Sequence, residues 1–135
     1  MMNDFFPAII IAHLLGDYMF QPKYMALHKT YDPWLCLLHS AIYTLCVCLC
    51  LWNFSLTLII CILTSHFVID YWSVGLRWLD IINGRNYLTE FHDLESPYRE
   101  LRIPFAALVY VIVDNGLHIM VAYGLVQYLW YFNLM

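Results

Sequence analysis

The run Ile9–Gln21 limits what this chain can become more than any other stretch. Within it, His13, Asp17 and Gln21 interrupt an otherwise apolar segment at intervals of four residues. On an α-helix that spacing stacks the three polar side chains along one face. An ionisable pair is costly to bury in apolar surroundings, so it needs a partner or a task. The pattern returns as His66 with Asp70 and, in reverse order, as Asp114 with His118. The other helices are therefore expected to complete what His13 and Asp17 begin.

Composition names the solvent. Of 135 residues, 63% are hydrophobic and only 12% charged, far from the mix of a soluble domain. A soluble protein of this length cannot hide so much apolar surface, so the bilayer is the expected solvent. The length allows a single membrane domain, 1–135, with no room for a second core. Six Lys and Arg without a basic run speak against a nucleic-acid partner. The net charge of −4 carries little information, because the charges are segregated. No charged n-region or small-residue cleavage site marks a signal peptide, so the first apolar segment is expected to stay as a helix.

Four transmembrane helices are expected, at about 5–21, 33–52, 55–80 and 104–132, in an all-α bundle. Asn3 or Asp4 caps the first, and Pro22 ends it. Asp32 caps the second, with Pro33 in its first position. Its polar-tolerant face reads Cys36, His39, Tyr43, Cys46 and Cys50. A short turn at Asn53 and Ser55 sets the third helix antiparallel, with a stripe of His66, Asp70, Ser73 and Arg77. Asn83-Gly84 stops it. The hydrophilic stretch 85–102 reads as a solvent-exposed loop, and Pro104 opens the fourth helix. That helix ends in the aromatic run Tyr128-Leu129-Trp130-Tyr131, the signature of a membrane interface.

Lys23 and Lys29 lie in the first connection; Arg77, Arg85, Arg99 and Arg102 flank or fill the third. By the positive-inside rule, loops 22–32 and 79–103 are cytoplasmic and both termini lie outside. Helices one and three run the same way with His before Asp; helix four runs back with Asp before His. Asp17, His39, His66, Asp70, Asp114 and His118 are thus expected in one slab of the cytoplasmic half.

Four imidazoles and three carboxylates, His13, Asp17, His39, His66, Asp70, Asp114 and His118, form a ligand set suited to Zn²⁺, Fe²⁺ or Mn²⁺. Asp17, Asp70 and Asp114 are the candidate catalytic residues, one of them serving as general base. Gln21, Tyr43, Ser73 and Asn115 are placed to support the ligands. Arg77 reads either as an interface anchor or as a clamp for an anionic group. His28 and His92 fall in the connections, with no role assigned. Cys36, Cys46, Cys48, Cys50 and Cys61 form no C-x-x-C pair and read as small hydrophobes. Cys36, Cys46 and Cys50 share a face with His39, which leaves a soft-metal alternative.

The functional expectation is a metal-dependent hydrolase of the membrane, acting on a lipid or lipid-linked substrate. Two alternatives use the same residues: a metal or proton transporter or relay, and a non-catalytic assembly protein whose Asp–His pairs fix helix register. A transport pathway needs a polar line through both leaflets, whereas the outer half here is mostly Val, Leu, Cys and Phe.

Four stretches carry a family resemblance: His-Leu-Leu-Gly-Asp-Tyr-Met-Phe-Gln (13–21), Leu-Leu-His-Ser-Ala-Ile-Tyr-Thr-Leu (37–45), Ser-His-Phe-Val-Ile-Asp-Tyr-Trp (65–72) and Val-Asp-Asn-Gly-Leu-His (113–118). In this order they resemble an uncharacterised bacterial membrane family catalogued as domain of unknown function 3307. The matching positions are His13, Asp17, Gln21, His39, His66, Asp70, Asp114 and His118; the family more often has Gln where this chain has Asn115. The resemblance implies a small multi-helix protein of the bacterial inner membrane, similar to membrane-embedded metal-dependent hydrolases. It implies no particular reaction.

Overall fold

The computed structural model describes residues 4–83 and 99–135, and their regular structure is entirely helical. In order come α1 (Phe6–Leu14), prolonged by a π-helical turn over Leu15–Met19, then α2 (Lys23–His28), α3 (Pro33–Leu51), α4 (Leu56–Tyr71), α5 (Val74–Asn83) and α6 (Arg99–Tyr131). Capping chemistry explains several of these limits. Asp32 accepts from the backbone N–H of Trp34 (2.9 Å) and Leu35 (3.3 Å), and Pro33 needs no partner for the N–H it lacks. Trp52 stops α3 in the left-handed conformation, at φ 51°. Ser55 then accepts from the N–H of Leu58 at 3.3 Å and opens α4.

The expected all-helical packing forms, but among the described residues fewer than four helices have the length and apolarity of a span. Two helices, Pro33–Leu51 and Pro104–Tyr131, are long and apolar enough to cross a membrane. A third span exists if α4 and α5 are taken together across a bend of 55°. The first apolar helix, Phe6–Met19, is shorter than a full span. It ends before the expected residue 21 because its last turn widens into π geometry and Pro22 follows. The helix expected over 55–80 breaks at Ser73, whose φ is 47°. The connection 22–32 contains α2, and α6 starts ahead of Pro104, which lies inside it. Residues 84–98, and with them His92 and most of the expected loop, lie outside the described residues.

Four helices close a ring: α1 packs on α3 and α6, and α4 packs on the same two. At the end holding the α3–α4 turn, the ring is filled by Ile9, Val47, Leu58, Ile62 and Val126, all at 0% exposure. Cys46 and Cys48 join that core, with Cys50 and Cys61 packed against it, as expected of small hydrophobes. Outward, Leu38, Leu45, Leu49, Ile60, Ile112 and Met120 are exposed. Apolar residues facing out and histidines facing in is the arrangement a lipid solvent favours.

Gly16 sets the approach of α1 to α3. A Cβ there would lie 2.8 Å from Tyr43 Cδ2 and 3.1 Å from Tyr43 Cα, and backbone cannot step aside as a flexible side-chain tip does. Gly16→Ala is therefore expected to destabilise the fold by about 1–3 kcal/mol, read as a lower melting temperature in detergent.

Candidate metal centre

At the other end of the ring, above that apolar core, each of the four helices turns ionisable groups inward. His13, His39, His66, Asp70 and His118 are buried; Asp17 and Asp114 keep 11% and 22% of their side chains exposed. The π turn carries Asp17, and the break after α4 follows Asp70 by three residues. Both irregularities sit where a functional group is aimed, a common use of π turns.

The centre is an imidazole pair. His39 Nε2 and His66 Nε2 lie 3.1 Å apart. Asp17 Oδ1 stands 3.2 Å from the first and 3.4 Å from the second. Asp70 Oδ2 stands 3.1 Å and 3.2 Å from the same two nitrogens. The other oxygen of Asp70 faces His118 Nε2 at 3.4 Å. Two trios, Asp17/His39/His66 and His66/Asp70/His118, bring their donor atoms close enough to hold a metal ion.

These separations are those of ion pairs, but not every atom gains a directed hydrogen bond. Among the described residues, Asp17 Oδ1, His13 Nδ1, His118 Nε2 and His66 Nδ1 are buried without one. For His118 the tautomer is set locally. Its Nδ1–H donates to the Asp114 carbonyl at 2.8 Å, so the neutral ring turns an Nε2 lone pair toward Asp70. A lone pair facing a carboxylate calls for a cation or a proton between them.

His13 stands one step outside. Its Nε2–H donates to Asn115 Oδ1 at 2.6 Å, while Nδ1 faces Asp17 Oδ2 at 3.2 Å. No directed hydrogen bond joins that Nδ1 to Asp17 among the described residues, and the other oxygen of Asp17 looks into the centre. Asn115 is itself held, donating to Tyr18 Oη and to the Val111 carbonyl, each at 2.6 Å. Asp114 also lies at the margin, 3.7 Å from His118 Nδ1 and pressed against Gly75, where a Cβ would meet its Oδ1 at 2.8 Å.

Of the expected supporting residues, Tyr43 stacks on the His66 ring at 3.8 Å, and its hydroxyl is buried without a partner. Gln21 lies past the helix end yet still reaches the site. With its amide oxygen inward it accepts from Lys29 Nζ at 3.0 Å and from His39 at 3.2 Å, and its amide donates to the Asp17 carbonyl at 3.0 Å. Ser73 forms the break rather than a contact in the cluster. Arg77 is exposed on α5, and among the described residues it makes no contact with the cluster. The bend at Ser73 turns its helix away, so the register expected from His66 and Asp70 does not carry through. None of the cysteines belongs to either trio, although Cys36 Sγ contacts the Phe67 carbonyl at 3.8 Å.

Lys29 is the member that sequence reasoning missed. Its ammonium lies 2.7 Å from Asp70 Oδ2 and 3.2 Å from His39 Nε2, with the side chain 14% exposed. The signal was its place: the connection is short and folds over the helix ends that hold Asp17 and His39.

No curated protein and no solved structure matches the chain. A family model matches residues 5–133, so the chain belongs to the family described as "Protein of unknown function (DUF3307)", in agreement with the resemblance its four motifs carry.

Proposed function

We propose that this chain is a multi-pass protein of a bacterial inner membrane that holds a divalent metal ion among its histidines and aspartates and hydrolyses a lipid or lipid-linked substrate. One observation carries the reading: the triangle of Asp17 Oδ1, His39 Nε2 and His66 Nε2, with edges of 3.1, 3.2 and 3.4 Å. Donor atoms about 2.0–2.1 Å from a tetrahedral ion lie about 3.3 Å apart, so the triangle has the size of one face of such a shell. Charge supports the same reading. Among the described residues Asp70 pairs with the ammonium of Lys29, whereas Asp17 and Asp114 face only imidazoles, so with neutral rings two negative charges stay uncompensated in a poorly solvated place. Zinc, ferrous iron and manganese all accept imidazole with carboxylate.

A divalent ion held there supplies a Lewis acid and a water acidified to near neutral pH. The chain's own residues have distinct tasks around it. His13, braced by Asn115, stands against Asp17 at the edge of the site. Tyr43 holds the plane of His66. Of the three aspartates, Asp114 lies outside both trios and is the most exposed, so it best fits the general base. The fully buried Ile9, Val47, Leu58, Ile62 and Val126 close the far half of the ring to water. A site wet from one side suits hydrolysis better than a transport pathway. Loops 22–32 and 79–103 are assigned to the cytoplasm by their Lys and Arg. In a four-span arrangement the short first helix is accommodated by local thinning of the bilayer.

Removal of the metal tests this reading. Dialysis of gently purified protein against a chelator is expected to lower the melting temperature by about 5–10 °C, and one equivalent of the cognate metal restores it. A preparation that carries no metal and melts unchanged in chelator contradicts the proposal.

A further inference from the structure

Metal binding accounts for the imidazoles and carboxylates but not for Lys29. Among the described residues it is the one Lys or Arg whose side chain enters the cluster, held by Asp70 Oδ2, Gln21 and His39 Nε2. Asp70 Oδ2 and His39 Nε2 are also atoms that a metal would take. A divalent cation there repels an ammonium a few ångströms away and withdraws the carboxylate that held it. Lys29 follows α2 in the connection between α1 and α3, at the end of the ring where headgroups would lie. Its four-carbon stem lets the charge swing to that level.

A second feature lies close to it in sequence. Four residues on, Pro33 and Trp34 begin the lining of a cleft of about 460 Å³ between α3 and α4, continued by Leu37, Leu63, Phe67 and Trp72. The lining is apolar apart from Thr64. A lipid phosphate is the anion a bilayer presents where headgroup meets acyl chain, and Lys29 precedes the head of the cleft by only four residues of sequence. Resting on the metal reading above, we propose that the metal-loaded protein binds a lipid phosphate, with Lys29 released from Asp70 onto the phosphate and an acyl chain lying in the cleft.

The test uses the full chain in neutral detergent, loaded with manganese and assayed for metal content before any lipid is added. Calorimetric titration with dihexanoyl phosphatidic acid is expected to show binding, with inorganic phosphate and dihexanoylglycerol each at least about tenfold weaker. Lys29→Gln is expected to keep its manganese and lose lipid-phosphate affinity at least about tenfold, and Lys29→Arg to recover most of it. Leu63→Trp fills the cleft away from the cluster and keeps the test decisive should Lys29→Gln fail to fold. It is expected to weaken lipid phosphate while leaving inorganic phosphate unchanged. Unaltered lipid-phosphate affinity in a manganese-loaded Lys29→Gln or Leu63→Trp protein overturns the inference, as does inorganic phosphate binding as tightly as the lipid. Wild-type protein that takes up neither manganese, ferrous iron nor zinc overturns the metal reading itself, and the metal assay separates that failure from the others.

Discussion

Replacing His66 with alanine is expected to empty the cluster of metal, from about one equivalent per chain to below about a tenth. His66 is common to both trios, so among the described residues neither trio survives its loss. The ring is also a packing element, stacked on Tyr43 at 3.8 Å and 4.5 Å from the ring of His118. Truncation leaves a hole with polar walls and removes one of the imidazoles that face Asp17 and Asp70. A stability loss of about 2–4 kcal/mol is expected in addition to the loss of metal. Elemental analysis reads the first effect, and thermal melting with and without chelator reads the second. Thr64→Ala, an exposed position on the same helix, is the control and is expected to retain its metal. Full metal content in His66→Ala would place the ion elsewhere.

Asp70→Ala is expected to give the larger loss of stability. Asp70 lies within ion-pair distance of Lys29, His39, His66 and His118. In protein free of metal and lipid, its removal strands the Lys29 ammonium, which is 14% exposed and has no second carboxylate partner among the described residues. Breaking a buried pair from one side costs about 3–5 kcal/mol, mostly because the surviving charge is uncompensated. Adding Lys29→Met to Asp70→Ala removes that charge, so about half of the loss or more is expected to return. Denaturation of the single and double variants in one detergent measures the difference. Equal losses in both would show that Lys29 finds another partner.

The site was legible because ionisable residues in apolar runs are conspicuous, and because Asp114/His118 reverses the order of His66/Asp70 as an antiparallel helix requires. The Asp32–Pro33 cap was legible for a similar reason: it acts on backbone groups two or three residues away. What escaped depends on contacts between segments distant in sequence. The break at Ser73 accompanies α5 passing close to Asp114, where Gly75 leaves no room for a side chain. Nothing local to Ser73 announces it, so the third helix reads as unbroken and Arg77 reads as part of the stripe. The π turn at Leu15–Met19 similarly answers to Tyr43, on another helix. Lys29 was visible as a charge that orients the chain in a membrane, whereas its approach to Asp70 spans 41 residues of sequence. The number of spans followed these irregularities, since apolar run length alone does not reveal where a helix bends or ends early.

The central claim is that imidazole and carboxylate groups from several helices hold one divalent ion. X-ray absorption at the zinc edge, on protein loaded with one equivalent, tests it most directly. The expected spectrum has nitrogen and oxygen donors at about 2.0–2.1 Å, imidazole scattering beyond them and no sulfur shell. A sulfur shell at about 2.3 Å would move the ion to Cys36, Cys46 or Cys50, and a spectrum of hydrated zinc would mean that the cluster holds no metal.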